Sequence, residues 1–156
     1  MHFDFSWHGS LFMQKPKHIL VIRFSAMGDV AMTIPVLRAL TQQYSELRIT
    51  VLTKDFFKPF FRDLEHVEVF SADLKGKHKG VLGLYKLSKE LKVLHISTSF
   101  STGFDAVADL NNVLRSKILK FFFSGKKVVQ LDKGRSEKKA LTTGKLFLQL
   151  KTTHQR

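Results

Sequence analysis

The stretch "HILVIRFSAMGDVAMTIPVLRALTQQY", His18 to Tyr44, decides the fold. Its opening, His18 to Arg23, is a continuous apolar run, the pattern of a strand buried on both faces. Further on, Val30, Ile34, Leu37, Leu40 and Tyr44 recur at steps of three and four, which lines up one apolar face of a helix. Pro35 must either open that helix or kink it, since proline lacks the N–H that a helix interior needs. Between strand and helix lies "RFSAMGD", where an α/β protein usually carries a glycine-rich phosphate loop. This one holds a single glycine, Gly28, and directly after it an acid, Asp29.

The same alternation continues outward. "LRITVLT" (47–53) reads as a second strand rich in β-branched residues, and "VEVF" (67–70) as a short third. "DFFKPFFRDL" (55–64) between them is a short helix or turn interrupted by Pro59. "KGKHKG" (75–80) reads as a mobile basic loop and "VLGLYKLSKELK" (81–92) as an amphipathic helix. "FDAVADL" (104–110) and "KKVVQL" (126–131) are further strands, separated by the helical "NVLRSKILKFFF" (112–123). Strands alternating with helices imply an α/β fold, a Rossmann-like parallel sheet with flanking helices joined by right-handed crossovers. "VLHISTSFSTG" (93–103) fits neither pattern and reads as an extra strand or an inserted loop. Residues 1–16 read as a flexible lead-in and 17–150 as one domain.

Composition narrows the function classes. The 156 residues suffice for one sizeable core. No apolar run approaches the roughly 18–20 residues that span a bilayer. The start lacks a basic segment followed by a clean apolar one, so no secretion signal is expected. There is no cysteine, hence no disulfide framework and no thiolate metal site, which fits a cytoplasmic protein. The seven histidines are scattered without ligand spacing, so no metal site and no other cofactor is expected. The formal charge of +13 favours anionic partners such as nucleic acid, acidic lipid or a phosphorylated substrate. Basic residues also form ordinary solvated surfaces.

In open parallel sheets, ligands bind beyond the carboxyl ends of the strands. Three polar clusters fall there: Ser25 to Asp29, Asp109 to Ser116, and Asp132 to Arg135. In the first, a carboxylate would repel a pyrophosphate, and neither a dinucleotide fingerprint nor a Walker loop is present. The loop suits proton transfer instead, with Asp29 as a candidate general base. Complementing the free N–H groups of a helix's first turn explains an acid there equally well. In the second cluster, Asn111, Asn112, Arg115 and Ser116 surround a helix start and form a candidate anion site. A cap with a solvated arginine is the plain alternative. In the third, Lys133 and Arg135 flank a turn glycine. No nucleophilic serine elbow accompanies them.

With these residues placed, "ILVIRFSAMGDVAMTIPVLRAL", "FDAVADLNNVLRSKIL" and "DKGRSEKKALT", in that order, resemble the N-terminal half of the lipopolysaccharide heptosyltransferases, glycosyltransferase family 9. The likeness spans most of residues 17–142. It implies a GT-B enzyme in which two Rossmann-like domains face across a cleft without a metal. The first domain holds a phosphorylated lipid A-core acceptor and the second an ADP-heptose-type donor. It gives Asp29 the role of general base in an inverting transfer. It makes Ser25, Gly28, Asn111, Asn112, Arg115, Ser116, Lys133 and Arg135 acceptor-binding residues.

The expected setting is the cytoplasmic face of the inner membrane, in peripheral contact with anionic lipid through Lys75, Lys77 and Lys79. The donor domain has no counterpart in these 156 residues, so the chain is expected to be a fragment, weak or inactive alone. A non-catalytic basic module for nucleic acid or acidic lipid is the competing reading. Against nucleic acid, the aromatics sit mostly inside apolar runs rather than among basic residues as a stacking platform.

Overall fold

The computed structural model describes residues 16–97 and 103–130. The chain runs through β1 (His18–Ile22), α1 (Met27–Gln43), β2 (Arg48–Thr53), a 3-10 helix (Asp55–Phe61) and β3 (Val67–Ser71). It continues through α2 (Gly80–Ser97), β4 (Ala106–Asp109), α3 (Leu114–Phe121) and β5 (Lys127–Gln130). The strands lie in one sheet in the order β3-β2-β1-β4-β5, and every pairing is parallel. This is the Rossmann-like α/β arrangement that the sequence implies.

The apolar run of β1 is continuous because the strand sits mid-sheet and feeds two cores. Leu20 and Ile22 point to one face, where they meet Leu84, Leu87 and Leu91 of α2 and Leu119 of α3. Val21 points to the other, against Val30 and Leu37 of α1 and Phe57 and Phe61 of the 3-10 helix. Each such side chain contributes about 1.5–3 kcal/mol of burial, so β1 ties both layers to the sheet. Its last residue, Ile22, stands in register with Asp109, the last residue of β4.

Three local expectations change. The helix after β1 starts at Met27 and runs unbroken through Pro35, so Gly28 lies in its first turn. Val30 and Leu37 are buried as the spacing requires, whereas Tyr44 is exposed just past the end. Its amide donates to the Leu40 carbonyl at 2.9 Å.

The segment read as a mobile basic loop is a pinned turn. The Asp73 carboxylate accepts the amides of Lys75, Gly76 and Lys77 at 3.2, 2.9 and 3.1 Å. Those of Gly76 and Lys77 do most to hold its pKa below the usual carboxylate range. The buried His78 accepts the Asp73 amide at Nδ1 and meets Glu90 of α2 through Nε2. Gly83 of α2 lies so close that a Cβ would stand 2.3 Å from the His78 backbone.

The third change concerns 93–103. Its first part is neither strand nor loop, for α2 continues to Ser97. Residues 98–102 lie outside the described residues, as do all but the last residue of the lead-in 1–16 and everything after 130.

Candidate active site

The order of the sheet creates the site. The chain leaves β1 through α1 on one face to reach β2, while β4, on the other side of β1, is served by α2 and α3 on the opposite face. The loops after β1 and β4 therefore lead to opposite faces, and the carboxyl ends of these two neighbours form the switch point at which open parallel sheets bind ligands.

The loop after β1 is anchored by Phe24, buried in the core of the α2 face. The chain then surfaces: Ser25, Ala26, Met27, Gly28 and Asp29 are all exposed, and the Ser25–Ala26 peptide is cis. Asp29 is the third residue of α1, where its Oδ2 accepts the Ala26 amide at 3.3 Å. That reach back to the residue before the helix satisfies one orphan N–H. Oδ2 also forms an ion pair with Nη2 of Arg23. The two partners differ in exposure: the Asp29 side chain is 50% accessible and that of Arg23 only 5%. Nη1 of Arg23 donates to the Leu110 carbonyl beyond β4. Among the described residues, Nε finds no hydrogen-bond acceptor.

The loop after β4 is organised around Asp109, which is fully buried. Its Oδ1 accepts the amides of Asn111 and Asn112 at 3.0 and 2.8 Å. Its Oδ2 accepts the Ser116 hydroxyl at 2.8 Å and pairs with Lys120 Nζ at 3.0 Å. Burial pushes this carboxyl up, but the Asn112 amide, Lys120, Ser116 and the Asn111 amide outweigh it and hold the group below the usual carboxylate range. Asn112 adopts a left-handed backbone with φ 43°, which asparagine tolerates better than most residues.

The predicted residues separate accordingly. Ser25, Gly28 and Asp29 are exposed on the loop and first helical turn after β1. Arg115 is exposed on the first turn of α3 and enters no ion pair among the described residues. Asn112 is half-buried. Asn111 and Ser116 are buried inside the scaffold. The Asn111 side chain accepts the Phe24 amide at 3.3 Å, and the Ser116 hydroxyl accepts the Val113 amide at 3.0 Å. Lys133 and Arg135 lie outside the described residues, as does the whole Asp132 to Arg135 cluster.

Sequence reasoning passed over Arg23 and gave Asp109 no role of its own. A cation closing an apolar strand was the available signal for the first. For the second, it was an acid followed by two asparagines and a serine.

No family model matches the chain. The lipopolysaccharide core heptosyltransferase OpsX of Haemophilus influenzae is 25% identical to it over 126 residues, covering 81% of this chain and 33% of that protein. The chain thus spans about a third of the length of this relative. Among solved structures, the glycosyl transferase family 9 protein from Veillonella parvula DSM 2008 superposes with a TM-score of 0.62 at 20% identity, over 76% of this chain and 33% of that one. The E. coli heptosyltransferase WaaC with ADP gives 0.54 at 17% identity, over 72% and 34%. The two structures share the fold, and the sequence match relates the chain to the heptosyltransferases.

Proposed function

From that kinship we propose that the chain is the acceptor-binding part of a glycosyltransferase of lipopolysaccharide core biosynthesis, with Asp29 as its general base. One observation carries the reading. The acid after β1 is half-exposed at the switch point, on a loop with no glycine-rich cradle for a nucleotide phosphate.

In the reaction, an acceptor hydroxyl gives its proton to the Asp29 carboxylate while its oxygen attacks the anomeric carbon of a nucleotide-linked heptose. The bond from that carbon to the diphosphate oxygen breaks, and the nucleoside diphosphate leaves with the electron pair. Attack from the side opposite the leaving group inverts the anomeric centre. A positioned base of this kind is worth roughly a hundred- to ten-thousandfold in rate. Arg115 supplies an exposed guanidinium for an acidic group of the acceptor, a role that Lys133 and Arg135 share.

The net positive charge suits a phosphorylated, lipid-linked acceptor and peripheral contact with anionic lipid at the cytoplasmic face of the inner membrane. All three loop lysines are exposed, and Lys75 and Lys79 are the ones left for that contact, since Lys77 pairs with Glu90 at 2.8 Å. Among the described residues no helix is long and apolar enough to cross a membrane.

The test is Asp29→Asn in the complete protein, with glycosyl transfer and acceptor binding measured separately. Transfer falls at least about a hundredfold, while affinity for the phosphorylated acceptor changes only a few-fold. Retained turnover overturns the assignment of the base. Salt-sensitive binding to random DNA without affinity for the acceptor would favour the basic-module reading instead.

A further inference from the structure

Arg23 is an unusual group to bury. Its side chain is 95% shielded at the carboxyl end of the central strand, and a buried guanidinium is costly unless it is paired and hydrogen-bonded. It bridges the two loops: Nη1 holds the Leu110 carbonyl of one and Nη2 the Asp29 carboxylate of the other. Among the described residues Nε keeps no acceptor, so the fork is committed to these two loops alone. The asymmetry at Asp29 gives the arrangement its meaning. Both Arg23 and the Ala26 amide engage Oδ2, and Oδ1 accepts no hydrogen bond among the described residues.

We propose that Arg23 is a positioning residue: by occupying Oδ2 it fixes the Asp29 carboxylate with Oδ1 turned out as the atom that receives the acceptor hydroxyl. The inference rests on the reading of Asp29 as the base and adds which oxygen acts and what aims it. A carboxylate on an exposed helix turn otherwise rotates freely about its side-chain bonds. A charged hydrogen bond from a shielded, rigid partner removes that freedom before the substrate arrives. The planar guanidinium can hold the carbonyl and the carboxylate at once. An ammonium at the same place is a single point charge on a flexible stem.

The experiment measures binding by calorimetry with the full chain. The probes are a phosphorylated inner-core oligosaccharide and its set of single-deoxy analogues. In the unaltered chain one analogue binds more weakly than the parent by roughly tenfold or more, the worth of a hydrogen bond to a charged group. Asp29→Ala abolishes that difference and so identifies the hydroxyl.

Arg23→Met is expected to abolish the same difference while leaving affinity for the deoxy analogue within about twofold, and Arg23→Lys to keep only part of it. Full discrimination in both Arg23 variants, with discrimination lost in Asp29→Ala, overturns the role of Arg23 and leaves Asp29 as the base. Absence of discrimination in the unaltered chain overturns the base and this inference together.

A second readout covers variants that fail to fold. The Arg23 guanidinium nitrogens, followed by NMR in Asp29→Ala, are expected to shift and to rotate faster once Nη2 loses its partner. Unchanged signals overturn the pairing.

Discussion

Two neighbouring parallel strands each end in a loop built around an aspartate, and the two acids are treated in opposite ways. Asp109 after β4 has every neighbour turned inward, with two amides on one oxygen and a hydroxyl and an ammonium on the other. Asp29 after β1 has one oxygen engaged and the other without a hydrogen bond among the described residues, on a half-exposed side chain. A saturated, buried carboxylate has no lone pair to offer a substrate, so Asp109 is architecture. An anchored carboxylate with a free oxygen can accept a proton. Exposure divides these roles, and Arg23 joins the two loops through Leu110.

The contrast is tested hardest at Asp109. Replacing it by alanine leaves the Lys120 ammonium and three donors without their buried acceptor, a loss of about 3–5 kcal/mol. Urea unfolding should show it as a lower midpoint. Asp109→Asn keeps the shape, and its deficit depends on pH. The folded-state pKa of Asp109 lies below that of an unfolded aspartate, about 3.9. The carboxylate's contribution is therefore fully present above that value and disappears as pH falls through the lower folded-state value. The gap between wild type and Asp109→Asn is expected to be widest near neutrality and to narrow below about pH 4. A gap that stays constant across that range would return Asp109 to the status of an ordinary surface acid.

How much of this was legible in the sequence follows from what each residue touches. The strands were readable to within a residue or two because β1 and β2 are buried on both faces and must be apolar throughout. Asp29 stood out as a candidate because its departure from a glycine-rich loop is local. Arg23 was not, since the carbonyl that fixes it lies 87 residues away and only the sheet order brings it near. Asn111 and Ser116 resembled ligands because polar residues at a helix start look alike in sequence, whether they face a substrate or knit a turn. Burial separates them. The turn at 75–80 suffered the opposite error: its glycines and lysines suggest mobility, while the residue that orders it, Asp73, lies just upstream.

Ser116 and Arg115 sharpen the point from adjacent positions in α3. The Ser116 hydroxyl bridges the Asp109 carboxylate and the Val113 amide inside the scaffold, whereas Arg115 is exposed. Ser116→Ala removes both hydrogen bonds and is expected to cost about 1–2 kcal/mol by thermal or urea unfolding. Acceptor affinity in the folded variant should be unaltered. Normal stability with weakened acceptor binding would make Ser116 a ligand after all, and the inward loop would lose its purely architectural character.

The smallest expected effect bears on the outward loop. Gly28 sits in the first turn of α1, where a Cβ would meet no atom within 4 Å and where the backbone is not left-handed. Neither packing nor conformation requires a glycine at this position. Alanine there should raise stability, by up to about 1 kcal/mol, because glycine is the poorer helix former. The methyl group would, however, project into the open space beside Asp29, where the proposed acceptor must approach. Gly28→Ala is therefore expected to be at least as stable as the natural chain and to bind the phosphorylated acceptor more weakly. A variant that gains stability and binds as before would show that the space beside Gly28 is not on the acceptor's path. One that loses stability would show that the glycine serves the fold, as the buried residues around Asp109 do.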